Sequence, residues 1–169
     1  MTESMPHPAL DARQLQVVRS ALADIGRRPG PLLEVLHVIQ GQLGFVPPAA
    51  VPVIAEELNL SRAEVHGVIT FYHYFRQQPP GRHVVQLCRA EACQAMGANK
   101  LVQHAKRRLG VDFHGTTADG KVTLEAVYCL GNCARAPAAM IDGELQGCVT
   151  AQKFDVMIDS LSMDSLSRV

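Results

Sequence analysis

Through the first half of the chain, apolar positions return every three or four residues. Leu15, Val18, Ala21, Leu22 and Ile25 form one stripe, on a helix that Pro29-Gly30-Pro31 stops. Leu33, Leu36, Ile39 and Leu43 carry the same period into a second helix, and Pro47-Pro48 opens a third whose apolar face includes Val51, Ile54 and Leu58. Ser61 and Glu64 make an S-x-x-E capping box, which starts a fourth helix running through Val65, Val68 and Phe71. Four short amphipathic helices predict a small bundle.

The pattern changes after QQPPGR, Gln77 to Arg82, where adjacent prolines and a glycine exclude regular structure and predict a linker. The expected division is residues 1–80 and 81–169. In the second part, HVVQL from His83 to Leu87 reads as a strand that runs into Cys88. Leu101, Val102, Ala105 and Leu109 share one face of a helix, with Lys106, Arg107 and Arg108 near its C-terminus and Gly110 as its stop. KVTLEAVY, residues 121–128, is a second strand that delivers Cys129. AAMI and ELQG flank Asp142-Gly143, a pair suited to a tight hairpin turn, and Thr150 caps a last helix carrying Phe154, Ile158 and Leu161. The order β-α-β-β-α predicts a compact α/β domain, so the whole chain reads as α+β.

With 169 residues and 47% hydrophobic content, the chain can fill a core. Lys plus Arg equals Asp plus Glu at 16 each, which leaves no basic excess for nucleic acid or an anionic membrane surface. MTESMPHPALDARQLQ has neither a basic n-region nor an apolar h-region, and no apolar run reaches membrane-spanning length. The expectation is a cytoplasmic protein with no membrane segment. Five cysteines in that compartment point to metal binding or catalysis rather than to disulfides.

Cys88 and Cys93 are spaced C-x4-C, Cys129 and Cys133 C-x3-C, and 35 residues separate the pairs. Each pair follows a predicted strand, so neighbouring strands would bring four thiolates to one end of a sheet. Each iron of a 2Fe-2S cluster needs two protein thiolates besides its bridging sulfides, and on that reading each pair chelates one iron. A four-cysteine zinc site, with ligands about two to four residues apart, stays open on spacing alone. A Rieske centre needs two His, and none of the seven sits inside either cysteine loop. Dithiol chemistry of the thioredoxin type uses C-x-x-C, which neither pair has. Inert buried cysteines fit poorly with loops bounded by Gly, Asn, Arg and Pro.

The helical run LLEVLHVIQGQLGFVPPAAVPVIAEELNLSRAEVHGVITFYHYF, the loop CRAEAC and the segment GTTADGKVTLEAVYCLGNCARAP together resemble a known family. It comprises the thioredoxin-like 2Fe-2S subunits that accompany NAD-dependent flavoproteins in complex I, bacterial hydrogenases and formate dehydrogenases. The resemblance implies a thioredoxin-like fold for residues 81–169, one 2Fe-2S cluster, and Cys88, Cys93, Cys129 and Cys133 as its ligands. It also implies a flavoprotein partner that carries FMN and the NAD site. Within the family, CRAEACQAMGA is most similar to the gamma subunit of soluble NAD-linked formate dehydrogenases, whose formate chemistry takes place at molybdenum on a separate large iron-sulfur subunit. The equivalent subunit of complex I or of an NAD-linked hydrogenase is the alternative, and a zinc-stabilised adaptor is the alternative of another class. The resemblance implies that FMN, NAD and molybdenum sit on partners and that the chain is not catalytic alone; consistent with this, it has no G-x-G-x-x-G after a strand and no phosphate loop.

Other residues carry weaker signals. TFYHYF holds Phe71, Tyr72, Tyr74 and Phe75, half of the chain's aromatics; packing between the two halves is the commoner role for such rings, docking of the flavoprotein the sharper one. His73 in that run reads as a surface histidine. Arg89, Glu91 and Arg135 flank the cysteines, where positive charge would favour a reduced cluster, although solvated loop charge is the ordinary role. Gly131 and Asn132 can adopt positive φ and turn backbone N–H groups toward sulfur. Pro137 stands where thioredoxin-like folds often have a cis proline, while the base rate of X-Pro bonds favours trans. Cys148 reads as a packed bystander at the end of a strand.

Overall fold

The computed structural model describes residues 9–163, and the leader reading of residues 1–8 lies outside them. The chain divides into two compact units, Met1–Pro79 and Pro80–Val169. Among the described residues no helix is long and apolar enough to cross a membrane.

The first unit is helical. Helix α1 (Ala12–Ile25) starts at a capping box in which Asp11 accepts from Gln14 N–H and the Gln14 side chain accepts from Asp11 N–H. It ends at Gly26, ahead of the Pro29-Gly30-Pro31 stop. Helix α2 (Leu32–Leu43) follows, then a 3₁₀ turn (Pro48–Ala50) that continues into α3 (Val51–Glu57), and α4 (Arg62–Phe71). The Ser61–Glu64 capping box starts α4 as the pattern predicts. Val18, Val35, Leu36, Ile39, Ile54 and Val65 are fully buried in one core, where each such side chain contributes roughly 1.5–3 kcal/mol through burial. Two stripe positions are corrected: Leu33 faces outward while Val35 takes the core site, and Phe71 is 73% exposed while Ile69 is buried. Gln40 is the buried polar residue of α2. Its Nε2 donates to Tyr74 O and its Oε1 accepts from Arg76 N–H, both at 2.7 Å, which pins the segment after α4 and satisfies the amide.

The second unit is a five-stranded sheet of order β2-β3-β1-β4-β5. The strands are β1 (His83–Cys88), β2 (Gly115–Thr116), β3 (Val122–Val127), β4 (Ala139–Ile141) and β5 (Glu144–Gln146). β1 and β3 are parallel, with Cys88 opposite Val127, and every other pairing is antiparallel. Helices α5 (Glu91–Ala95) and α6 (Ala98–Leu109) make the crossover from β1 to β3 that parallel strands require. α6 and α7 (Ala151–Met163) pack on the face that carries Val85, Leu87, Val122 and Leu124, with Phe154 completely buried among them. His104 Nε2 lies 2.8 Å from Asp155 Oδ1, and Arg108 Nη2 donates to Asp159 Oδ1 at 2.6 Å, so the two helices are tied along their outer edges. Asp142 and Gly143 both have positive φ, as a two-residue hairpin turn demands. The Asp142 carboxylate holds that turn to the start of β1, accepting from Val84 N–H at 2.8 Å and meeting His83 Nδ1 at 2.6 Å. Thr150 caps α7 through Lys153 N–H. The helix α5 and the strand β2 are additions to the predicted order; both are too short to leave a period in the sequence.

Candidate metal centre

The first cysteine pair stands on regular structure. Cys88 is the last residue of β1, 3% exposed, and its N–H donates to Ala138 O at 3.0 Å. Arg89 N–H then donates to Val127 O at 2.7 Å, which keeps the chain beside β3 for one more residue before it turns into α5. Cys93 lies inside α5, 2% exposed, and Gln94 Nε2 donates to Arg89 O to close the connection. The surrounding side chains are small: Ala98, Ala136 and Ala138 are buried with the two thiols, and Ala90 packs against them.

The second pair stands on a loop shaped by its backbone. Cys129 comes two residues after β3 with a φ of 137°, and Gly131 follows at 71°. The Gly131 N–H donates to Cys129 Sγ at 3.3 Å, which ties the loop back on itself. Cys133 opens a 3₁₀ turn (Cys133–Arg135), and both cysteines are exposed. Behind the loop runs Gly147. A Cβ there would lie 2.7 Å from Arg135 Cβ, 2.8 Å from Asn132 Nδ2 and 3.0 Å from Arg135 O, so only glycine lets the two segments touch. The next N–H, of Cys148, donates to Arg135 O at 2.5 Å, and Val149 N–H donates to Pro137 O.

Parallel pairing of β1 and β3 brings the pairs together, and the thiols respond to one another. Burial pushes the Cys93 thiol above its ordinary value; the Cys88 thiol and the charges on Cys88 and Cys133 add to this, while the Ala138 backbone N–H opposes it. Cys133 is raised first by the charge on Cys129, then by the hydrogen bond with its thiol, with smaller contributions from burial and Cys88. All five cysteines are free. Among the described residues, no three His, Cys, Asp or Glu side chains gather as a single ion would need. The thiols instead form two neighbouring pairs that sense each other. A binuclear 2Fe-2S cluster takes two thiolates at each iron, which this arrangement fits. Thiols that repel one another as thiolates are also those whose deprotonation a bound cation favours.

The flanking residues divide. Glu91 and Arg135 are exposed, and Arg89 is half-buried. Gly131 has the expected positive φ, but Asn132 does not; its φ is −110°, and the second unusual backbone belongs to Cys129 itself. Cys148 is corrected as well: it is exposed, beyond the end of β5, with a φ of 51°. The Ala136-Pro137 bond is cis, against the base rate. Of the TFYHYF rings only Phe75 is buried, in the helical core; Phe71, Tyr72 and Tyr74 are exposed, as is His73. Sequence reasoning missed Ala138 and Gly147. The glycine directly ahead of Cys148 was the available signal for close backbone approach.

The family model described as thioredoxin-like 2Fe-2S ferredoxin matches residues 18–162. One subunit of the NADH-quinone oxidoreductase of Pseudomonas aeruginosa is 43% identical over 117 residues, 69% of this chain and 70% of that one. The HndA subunit of the NADP-reducing hydrogenase of Solidesulfovibrio fructosivorans is 31% identical over 144 residues, 85% of this chain and 84% of that one. Among solved structures, the NAD+-reducing NiFe-hydrogenase in its air-oxidised state aligns with a TM-score of 0.65 at 25% identity, covering 79% of this chain and 23% of the longer one. The match runs through both units, and the chain belongs to the thioredoxin-like 2Fe-2S ferredoxin family, whose members carry one 2Fe-2S cluster.

Proposed function

We propose that Cys88, Cys93, Cys129 and Cys133 hold one 2Fe-2S cluster and that the chain is the one-electron transfer subunit of an NAD-linked redox complex. The observation that carries this is the register of β1 and β3, which sets Cys88 level with Val127 and so delivers both cysteine pairs at one end of the sheet. A 2Fe-2S cluster accepts electrons singly, which lets a flavin that receives two from a hydride pass them on one at a time. The chain's own residues bind the cluster and set its surroundings. The partner is a flavoprotein subunit with FMN and the NAD site, a reading supported by the relatives in NADH-quinone oxidoreductase and hydrogenase complexes. The unit Pro80–Val169 is then the cluster domain, and Met1–Pro79 serves partner binding.

The finer reading is the gamma subunit of a cytoplasmic, molybdenum-dependent formate dehydrogenase, and CRAEACQAMGA is what supports it. Purification of the native complex tests both levels. Formate-dependent NAD reduction by a complex containing molybdenum bears out the finer reading; nickel with hydrogen activity, or a membrane arm with quinone reduction, replaces it with one of the other two. Expressed alone, residues 80–169 should hold iron and sulfide in equal amounts and be brown. A folded but colourless fragment after reconstitution would refute the division of labour between the units.

A further inference from the structure

Arg89 follows Cys88 directly, and it is not a solvated loop charge. Its Nε is buried with no hydrogen-bond partner. The guanidinium carbon lies 5.4 Å from the centre of the Phe113 ring. Lys106 Nζ stands over the same ring at 4.5 Å, but that ammonium is paired with Asp112. The Arg89 main chain is fixed on both sides, donating to Val127 O and accepting from Gln94 Nε2, each at 2.7 Å. Its main chain is therefore held beside β3. A partly buried cation whose Nε meets no acceptor among the described residues is costly unless other negative charge compensates it.

We propose that Arg89 is the positioning residue that supplies this site with fixed positive charge and raises the reduction potential of the cluster; the proposal rests on the assignment of the four cysteines as ligands. Four thiolates and two sulfides leave the oxidised cluster doubly negative, and the added electron makes it triply so. A neighbouring cation favours the more negative state. Consecutive Cα atoms are only about 3.8 Å apart, and the Arg89 main chain is held directly after Cys88 at the end of β1. Glu91 and Arg135 are exposed, and water and salt screen them.

Redox titration of the full chain, followed by visible absorption and the paramagnetic signal of the reduced form, tests the assignment. Arg89→Gln should make reduction on the order of tenfold less favourable, which for one electron is about 59 mV lower. Arg89→Lys should restore most of the wild-type midpoint, and Arg135→Gln should leave it unmoved. An unmoved midpoint in Arg89→Gln, with iron content and spectrum intact, overturns the proposal. So does an equal fall in Arg89→Lys, because the effect would then follow shape rather than charge. If Arg89→Gln does not retain a cluster, Phe113→Leu decides, since loss of the ring releases the guanidinium into water: a lowered midpoint supports the proposal and an unmoved one overturns it. Iron content and a spectrum both unchanged by serine at each of the four cysteines would instead refute the ligand assignment, and they report that separately from the midpoint.

Discussion

The two cysteine pairs hold the same kind of ligand by different means. Cys88 and Cys93 are nearly inaccessible, one at the end of a strand and one inside a short helix, among alanines. Cys129 and Cys133 are exposed on a loop whose shape depends on the φ values of Cys129 and Gly131 and on the bare backbone of Gly147 behind it. Regular structure fixes the first pair through packing, so its cost of change lies in the fold. The second pair is fixed by local backbone geometry, so its cost of change lies in the loop. A cluster spanning both would be anchored in the core on one side and open to the surface on the other, which suits a group that must receive and release electrons.

Serine substitution gives the largest effects and separates the pairs. Serine at any of the four positions should alter or abolish the cluster, read as loss of iron, colour and the reduced-state signal. The cluster-free proteins should then differ from one another. Serine at 88 or 93 places a hydroxyl in an apolar, buried setting at about 1–3 kcal/mol if it finds no partner, whereas serine at 129 or 133 stays in water. Thermal unfolding without metal should fall by several degrees for the buried pair only. Equal falls for all four would erase the contrast.

Alkylation of the cluster-free chain sharpens it next. The surface pair should react readily and the buried pair slowly, because attack needs an accessible thiolate. Cys133 should lag an ordinary exposed thiol at neutral pH, since the Cys129 charge raises its pKa, and should catch up as the pH rises and its thiolate forms. Mass mapping of the modified peptides at two pH values checks both points. Rapid labelling of Cys93 would mean that α5 does not hold it inside.

Much of this contrast was legible in the sequence, in unequal measure. The hydrophobic period and the S-x-x-E box marked all four bundle helices nearly whole, because tertiary packing there agrees with local pattern. The strand endings at Cys88 and near Cys129 were equally plain. Helix α5 was not, since five residues cannot display a period. Nor could spacing reveal that Cys129 takes the unusual φ rather than Asn132, because asparagine is the residue that ordinarily tolerates it. Burial of Arg89 and the close passage of Gly147 arise from segments far apart in the chain meeting in space, which no local window records.

A change at Gly147 should disturb the exposed pair while sparing the buried one. Gly147→Ala forces the new carbon against Arg135 O and Asn132 Nδ2 and must move the loop, at roughly 1–3 kcal/mol by analogy with overpacking. Gly131→Ala meets no neighbour and carries only the cost of its left-handed backbone, about 1 kcal/mol. Cluster half-life in the presence of a chelator should therefore shorten more for Gly147→Ala than for Gly131→Ala. The reverse order would mean that backbone conformation at 131, rather than support from 147, shapes the site.

The smallest effect is expected at Cys148, even though its backbone joins the same loop. Its N–H donates to Arg135 O, and its thiol is exposed, unlike the packed bystander that its strand-end position suggested. Two features could tempt one to count it as a ligand: the positive φ of 51° and its place directly after Gly147. The chemistry argues otherwise, because two thiolates at each iron complete the coordination and leave no position for a fifth. Cys88 and Cys133 act on the raised Cys93 thiol, and Cys129 and Cys88 act on the raised Cys133 thiol, whereas Cys148 contributes to neither. Serine keeps the backbone donor and differs little in size, so Cys148→Ser should leave iron content, colour and the reduced-state signal at wild-type values while removing one rapidly alkylated thiol. Loss of the cluster in a folded Cys148→Ser protein would show that the exposed side of the site extends to a third cysteine, and the division into a buried and an exposed pair would have to be redrawn.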